Sequence, residues 1–297
     1  MKKLKNIKNI LVLGSGTLGL RIALASALNG YKVIIYDIQE SAFVQAKKIQ
    51  TNLLKILVRE GVISEKDSEK AWQNQTFTTD AKLAATNADL VSESVTEDLE
   101  LKKKVWAKFG KLCPKETIFT TNTSSLLPSL FAEETGRSER FCALHFHDVF
   151  YANVVDIMPN PKTESWIIDL LKDFGESIQQ TPVIMKSESP GYIFNAMLIS
   201  VLGAAGALVT YDVASIEDVD RSWMGNFKMP SGPFGILDEI GLDTAWHVIH
   251  VFKDEKSKRF AQLLDSYIQK GKLGRKSGEG FYKYPNPRFN DKDFIKG

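Results

Sequence analysis

The segment that most constrains this chain is Lys8-Asn9-Ile10-Leu11-Val12-Leu13-Gly14-Ser15-Gly16-Thr17-Leu18-Gly19. A run of β-forming apolar residues ends in G-x-G-x-x-G. A helical apolar pattern then opens at once, through Leu20, Ile22, Ala23, Leu24, Ala27 and Leu28. Gly14 permits a tight turn off the strand, Gly16 lets a pyrophosphate approach bare backbone, and Gly19 lets the helix pack on the sheet. The helix N-terminus, with Thr17 and Leu18 in its first turn, offers unpaired N–H groups and a positive dipole end to phosphates. A second strand, Lys32–Tyr36, ends in Asp37, at about the 20-residue spacing where a carboxylate binds the adenosine ribose hydroxyls. Ile38, Gln39 and Glu40 follow, with no cation to take a 2′-phosphate, so the pattern predicts NAD and not NADP. A glycine turn in an α/β domain without a nucleotide is the plain alternative. Strand before, helix after and the acid-ended second strand argue against it.

A length of 297 residues suggests about two domains. With 43% hydrophobic and 25% charged residues the chain can bury a sizeable core. A net charge of +2 argues against a dedicated nucleic-acid or membrane surface. Cys113 and Cys142 lack metal-like spacing and read as reduced, buried thiols. The start, Met1-Lys2-Lys3-Leu4-Lys5, mimics a signal-peptide n-region, but the apolar run behind it is short and already needed as the first strand. No apolar segment reaches the length of a membrane span. These features predict a cytoplasmic enzyme.

Hydrophobic spacing predicts an amphipathic helix from about Glu40 to Glu60, with Phe43, Val44, Ile49, Leu53, Leu57 and Val58 on its apolar face. A short helix at Glu65–Gln73 follows, then strands at Thr76–Thr79, Ala88–Val91 and Thr117–Thr120, with a helix at Glu97–Leu112 between the last two. This alternation predicts a mostly parallel sheet covered by helices. Glu93–Glu97 and Thr121–Ser125, just past strand ends, should line the cofactor crevice. After the Thr181-Pro182 strand and Pro190-Gly191, everything reads helical. The Tyr192–Val209 stretch is apolar on most faces, which predicts a buried helix, either in an intrachain core or at a subunit interface.

Beyond the glycine motif, five segments recur in order: Asn122-Thr123-Ser124-Ser125-Leu126, Ala143-Leu144-His145-Phe146, Ser189-Pro190-Gly191-Tyr192-Ile193-Phe194-Asn195, Ser231-Gly232-Pro233-Phe234 and Gly274-Arg275-Lys276-Ser277-Gly278-Glu279-Gly280-Phe281-Tyr282. With the first motif they resemble the L-3-hydroxyacyl-CoA dehydrogenase family, which includes the 3-hydroxybutyryl-CoA dehydrogenases, across nearly the whole chain. The resemblance implies a Rossmann-type NAD-binding α/β domain over 1–188. An all-α C-terminal domain over 189–297 would follow, bearing substrate contacts and pairing two subunits into a homodimer. It also implies an acyl-CoA substrate, a role in fatty acid metabolism and NAD as cofactor, with no nucleic acid, membrane or metal involved.

Site residues follow from the same match. His145 falls on the catalytic histidine, which takes a hydroxyl proton as hydride leaves the same carbon. The family orients this base with a glutamate roughly a dozen residues later, and the matching strand here, Val154-Val155-Asp156-Ile157-Met158, offers Asp156. That acid is one methylene shorter and one position closer than the pattern. Ser124 and Asn195 fall on positions that hydrogen-bond the reacting oxygen. Glu97 and Asn122 fall on positions near the nicotinamide half of the cofactor, and Lys102 on one near the cofactor or CoA. Read without the family, Ser124 would cap a helix from Leu126, Lys102 would sit on a solvated helix face, and a lone histidine would be structural. His247 and His250 share helical spacing but have no further ligand in register, which points to surface or core histidines and not to a metal.

The largest departure follows the histidine. Most family members continue with Phe, Asn and Pro, whereas this chain reads Phe146-His147-Asp148-Val149-Phe150-Tyr151, expected here to be a loop beside the substrate. Two other readings therefore stand beside the first: an NAD-dependent dehydrogenase of a non-CoA hydroxy acid or sugar acid, and a catalytically idle NAD-binding relative. Retention of Ser124, His145 and Asn195 together argues against idleness.

Overall fold

The computed structural model describes residues 7–296. The lysine-rich start, Met1–Lys5, lies outside the described residues. Contacts divide the chain into two compact units that meet between Ile193 and Phe194, five residues after the expected border at 188/189.

The first unit is built on one sheet of eight strands in the order β3-β2-β1-β4-β5-β6-β7-β8. These are β1 (Asn9–Leu13), β2 (Lys32–Tyr36), β3 (Gln75–Thr78), β4 (Leu90–Glu93), β5 (Ile118–Thr121), β6 (Phe141–Asp148), β7 (Ala152–Pro159) and β8 (Thr181–Ile184). Only the β6–β7 pair is antiparallel. The first six strands carry the 3-2-1-4-5-6 order of a dinucleotide-binding sheet, with its reversal at β1 and β4. Ile10 and Val12 enter one apolar core, whereas Leu11 and Leu13 enter a second. Successive residues of a strand point to opposite faces, so a continuous apolar run is what a sheet covered on both sides requires.

The helices of this unit are α1 (Thr17–Leu28), α2 (Ala42–Arg59), α3 (Glu65–Gln73), α4 (Ala81–Ala85), α5 (Leu99–Leu112) and α6 (Ser165–Ser177). Helix α3 starts on a reciprocal capping box between Ser64 and Asp67. Helix α2 keeps Phe43, Leu53 and Leu57 inside as the spacing predicts. Val44, expected on that face, is 77% exposed, and the polar Gln50 is buried in its stead. Gln50 tolerates this because its amide donates to the Leu20 carbonyl and to Gln75. The expected strand at Ala88–Val91 forms two residues later, which brings Glu93 inside the sheet.

The second unit comprises α7 (Phe194–Thr210), α8 (Ile216–Phe227), α9 (Pro233–Ile240), α10 (Leu242–Ile249) and α11 (Glu255–Ile268). Its core gathers Leu202, Phe234, Leu237, Phe260, Leu264 and Tyr282. Gly206 is needed there, since a Cβ at that position would lie 2.4 Å from the Phe260 ring. Beyond these helices, Gly274–Glu279 and Glu279–Lys283 form isolated β-bridges. Of the two places expected to bury α7, an intrachain core or a subunit interface, the core of this unit covers only Leu202, Ala205 and Gly206 along it. Phe194, Met197 and Leu208 are 52%, 58% and 42% exposed. One apolar helix has many apolar faces, and a unit of this size has elements to cover only some of them.

Candidate active site

The glycine turn takes the conformation that its residue types require. Gly14 has φ +102°, and a Cβ there would lie 2.6 Å from the Ser94 carbonyl oxygen at the β4 end. A Cβ on Gly19 would lie 2.5 Å from the Gly14 carbonyl oxygen, so α1 can approach the turn only without one. At Gly16, by contrast, a Cβ would meet nothing within 4 Å, which leaves open space over the start of α1. No side chain caps that helix and its first turn carries no acid. The N–H groups around Thr17 and Leu18 thus suit a pyrophosphate. Asp37 stands at the end of β2, where its Oδ2 accepts from the Ser15 N–H at 2.9 Å and the Ser15 hydroxyl at 2.6 Å. Burial pushes its pKa up, but the Ser15 and other backbone hydrogen bonds outweigh this and hold the carboxyl below the usual aspartate range. An acceptor at the ribose position and bare N–H groups at the phosphate position fit NAD.

The crevice-side ends of β4 and β5 carry a chain of charges. Glu93 and Lys102 are 0% and 1% exposed and pair at 2.7 Å, and Lys102 Nζ also lies 3.2 Å from Glu97. Lys102 is therefore no solvated helix residue; it is buried and neutralised by two acids. Glu97 Oε1 accepts from the Thr123 hydroxyl, from the Ser124 and Ser125 N–H groups at 3.1 and 3.0 Å, and from the Ser125 hydroxyl at 2.8 Å. Burial works to raise the Glu97 pKa, but the Thr123 hydrogen bond and the Lys102 charge prevail and lower it. Ser124 is exposed on this loop. It caps no helix: the next helical turn is a short 3₁₀ segment at Pro128–Leu130, and the Leu126 N–H is taken by Thr123 Oγ1. Asn122 ties the loop to β6, accepting the Phe146 N–H on its Oδ1 at 2.7 Å.

His145 and Asp156 are register partners, directly opposite each other on β6 and β7. Opposed residues of an antiparallel pair have Cβ atoms only about 5 Å apart. A short acid therefore suffices, and His145 Nδ1 lies 3.3 Å from Asp156 Oδ2. Both residues are buried, at 4% and 2% exposure. The Tyr192 ring stacks on the imidazole at 4.4 Å and 28°. The Tyr192 hydroxyl donates to the Thr123 carbonyl at 2.6 Å, which joins the histidine to the Ser124 loop.

His147 is the residue that sequence reasoning missed. Strand β6 continues through Asp148, so His147 lies on a strand and not in a loop, and its Nε2 lies 2.9 Å from the same Asp156 Oδ2. The available signal was its i, i+2 spacing from His145, which puts both rings on one face of a strand. Burial pushes Asp156 toward the neutral form, but hydrogen bonds from His145 and His147 and their charges reverse this and hold it at about 2. The ligand-capable atoms of His145, His147 and Asp156 all lie within 4.8 Å of one another. A divalent cation there would have to displace both imidazole hydrogen bonds. His247 on α10 and His250 just past its end are both exposed, each bonded through Nδ1 to the carbonyl four residues earlier. The rewritten residues turn toward α1: Asp148 pairs with Arg21, whose guanidinium sits 5.9 Å from the Tyr151 ring centre, and Phe150 packs on the core. Asn195 lies in the first turn of α7, in the second unit. Among the described residues no helix is long and apolar enough to cross a membrane.

Comparison with known proteins identifies the family. Residues 9–188 match the NAD-binding domain of 3-hydroxyacyl-CoA dehydrogenase, and residues 191–284 match its C-terminal domain. The mitochondrial hydroxyacyl-coenzyme A dehydrogenase of Sus scrofa is 32% identical over 288 residues, covering 94% of this chain and 91% of that protein. Among solved structures, a diketoreductase described as a dual catalyst of dicarbonyl compounds superposes with TM-score 0.89 at 38% identity, covering 94% of this chain and 99% of its own. The (S)-3-hydroxybutyryl-CoA dehydrogenase of Ralstonia eutropha superposes with TM-score 0.85 at 28% identity, covering 94% and 100%. The chain thus belongs to the 3-hydroxyacyl-CoA dehydrogenase family, and it is an NAD-dependent oxidoreductase with a Rossmann-type domain followed by a helical one.

Proposed function

We propose that this protein oxidises a 3-hydroxyacyl-CoA to the 3-ketoacyl-CoA, reversibly, with His145 as the general base. The observation that carries this reading is the direct cross-strand pairing of a buried histidine with an ionised aspartate. Asp156, an acceptor only, holds a proton on the facing His145 Nδ1 and leaves Nε2 to take the substrate hydroxyl proton. Bound NAD supplies the hydride acceptor. As the hydride leaves the carbon, the hydroxyl proton passes to His145, and Asp156 stabilises the imidazolium that results. The Ser124 hydroxyl and the Asn195 amide are assigned to the reacting oxygen, which is a hydroxyl in one direction and a carbonyl in the other. Gly14, Gly16, Thr17, Leu18 and Gly19 are assigned to the pyrophosphate and Asp37 to the ribose. Glu97 and Asn122 are assigned to the nicotinamide half, with Lys102 acting through Glu97. Units at about 1–188 and 189–297 would then be the cofactor domain and the substrate and dimerisation domain. The exposed apolar residues of α7 support a homodimer formed through the second of these.

A second reading has its own support. The similarity to a diketoreductase and the rewritten stretch from His147 to Tyr151 favour a carbonyl substrate without a CoA carrier. Measuring NADH formation across 3-hydroxyacyl-CoAs of increasing chain length, and across free hydroxy acids and sugar acids, separates the two. On the first reading free 3-hydroxybutyrate is a much poorer substrate than its CoA thioester, partly in kcat, because remote binding energy helps position the reacting carbon. A free acid that outperforms every thioester replaces that reading with the second.

A further inference from the structure

We infer that His147 is a positioning residue, which fixes the Asp156 carboxylate so that this short acid keeps His145 in a single tautomer. The inference rests on reading His145 as the base and Asp156 as its partner. One oxygen, Asp156 Oδ2, meets both rings, and its distance to His147 Nε2, 2.9 Å, is shorter than the 3.3 Å to His145 Nδ1. An ionised carboxylate has no proton to give, so each facing nitrogen must carry one. His147 thereby anchors the oxygen, and His145 receives an acceptor whose direction is already set. With His147 absent, an aspartate touching a single imidazole at 3.3 Å could swing about its side-chain torsions, and His145 could exchange tautomers.

The surroundings agree with that role. The His147 ring meets the His145 ring edge-on at 4.7 Å and 69°. Tyr192 stacks on the same imidazole at 4.4 Å. The reacting ring is therefore bounded by two aromatic neighbours, and its acid is held by one of them. Strand β6 continues through Asp148, which keeps His147 on the same face as His145, at the point where the β6–β7 register shifts.

Two substitutions separate hydrogen bonding from bulk. His147→Phe keeps a ring without a donor, whereas His147→Gln can place an N–H near the former Nε2. We expect His147→Phe to lower kcat about tenfold, the size of one charge-assisted hydrogen bond partly lost, with KM for NAD unchanged. His147→Gln should restore most of that loss. In an Asp156→Asn background His147→Phe should have no further effect, because both changes act through one carboxylate. Imidazole ¹⁵N NMR of the substrate-free enzyme should show His145 protonated on Nδ1 in the wild type and in His147→Gln, and a mixture of tautomers in His147→Phe. Equal losses from Gln and Phe, equal Phe effects in both backgrounds, or an unchanged tautomer in His147→Phe each overturn the assignment. A failure of the reading beneath it looks different: His145→Gln would then keep full turnover, while the NMR result still decides the role of His147.

Discussion

Asp156 in the sheet and Asp220 in the helical unit are both buried, at 2% and 0% exposure, and both accept several hydrogen bonds. Their protonation is nevertheless driven in opposite directions. Asp156 faces two imidazoles that can carry positive charge, and it is held at about 2. Asp220 accepts from the Phe234 and Gly235 N–H groups and the Tyr282 hydroxyl, all neutral donors. Burial dominates there and Asp238 adds like charge, which pushes Asp220 up to about 6. Neutral donors can satisfy a carboxylate geometrically without replacing the solvation its charge has lost; an imidazole partner can do both. The first arrangement suits the acid–base role proposed for His145, and the second ties a turn to the helical core.

The largest effect that would break this contrast lies in the sheet. His145→Gln should lower kcat by about 10²–10⁴-fold, the range for losing a general base, with little change in NADH affinity. Asp156→Asn should also slow turnover, since it removes the charge that stabilises the imidazolium. Stopped-flow and steady-state kinetics measure both, and wild-type turnover in Asp156→Asn across neutral pH would remove Asp156 from the site.

A smaller effect is expected in the second unit, on stability. Asp238 accepts from the Phe281 and Tyr282 N–H groups and the Tyr284 hydroxyl, closing the Gly274–Lys283 turn on α9. A Cβ on Gly280 would lie 2.0 Å from Asp238 Oδ1, which shows how tightly the turn wraps the carboxylate. Asp238→Ala leaves buried donors without an acceptor and should destabilise this unit by about 2–4 kcal/mol. Denaturant unfolding followed by the tryptophans of α8 and α10 would measure it, and a loss below about 1 kcal/mol, the size of an ordinary hydrogen bond, would show that water replaces the acid.

The smallest effect is a pH dependence with opposite sign in the two units. The folded value of Asp220 lies above its unfolded value of 3.8, so the folded state binds the proton more readily. Its penalty is therefore fully present above about pH 6 and is relieved as pH falls toward 4, by at most about 1.4 kcal/mol per pH unit. Asp156 is the reverse: its contribution is present above pH 3.8 and is lost as pH falls toward 2. Between pH 7 and 5 the stability of the second unit should rise through Asp220, and Asp220→Asn should flatten that rise. Unfolding of both proteins at several pH values measures this; parallel curves would remove Asp220 as the source.

Much of this was legible in order along the chain. The glycine turn, the acid at the end of β2 and the sheet alternation are local patterns, since strand, turn and helix are set by residues within reach of one another. Ser124, His145 and Asn195 were assigned from ordered motifs that carry them. Lys102 was misread on its residues alone, because a lysine among polar neighbours on α5 looks solvated until Glu93 and Glu97 are seen closing over it. His147 falls in a stretch expected to be a loop, although strand β6 continues through Asp148.

By itself, the sequence determined the cofactor class, the dinucleotide-binding sheet and the histidine that matches the base, since each follows from residue types at short, fixed spacings. Tertiary structure decided which side chains share a carboxylate. Register placed Asp156 opposite His145, and the strand's two-residue period put His147 on the same oxygen. It also decided that α7, apolar all round, is left partly uncovered by its own unit. Charge pairing and burial depend on residues far apart in the chain, and only the folded backbone sets those distances.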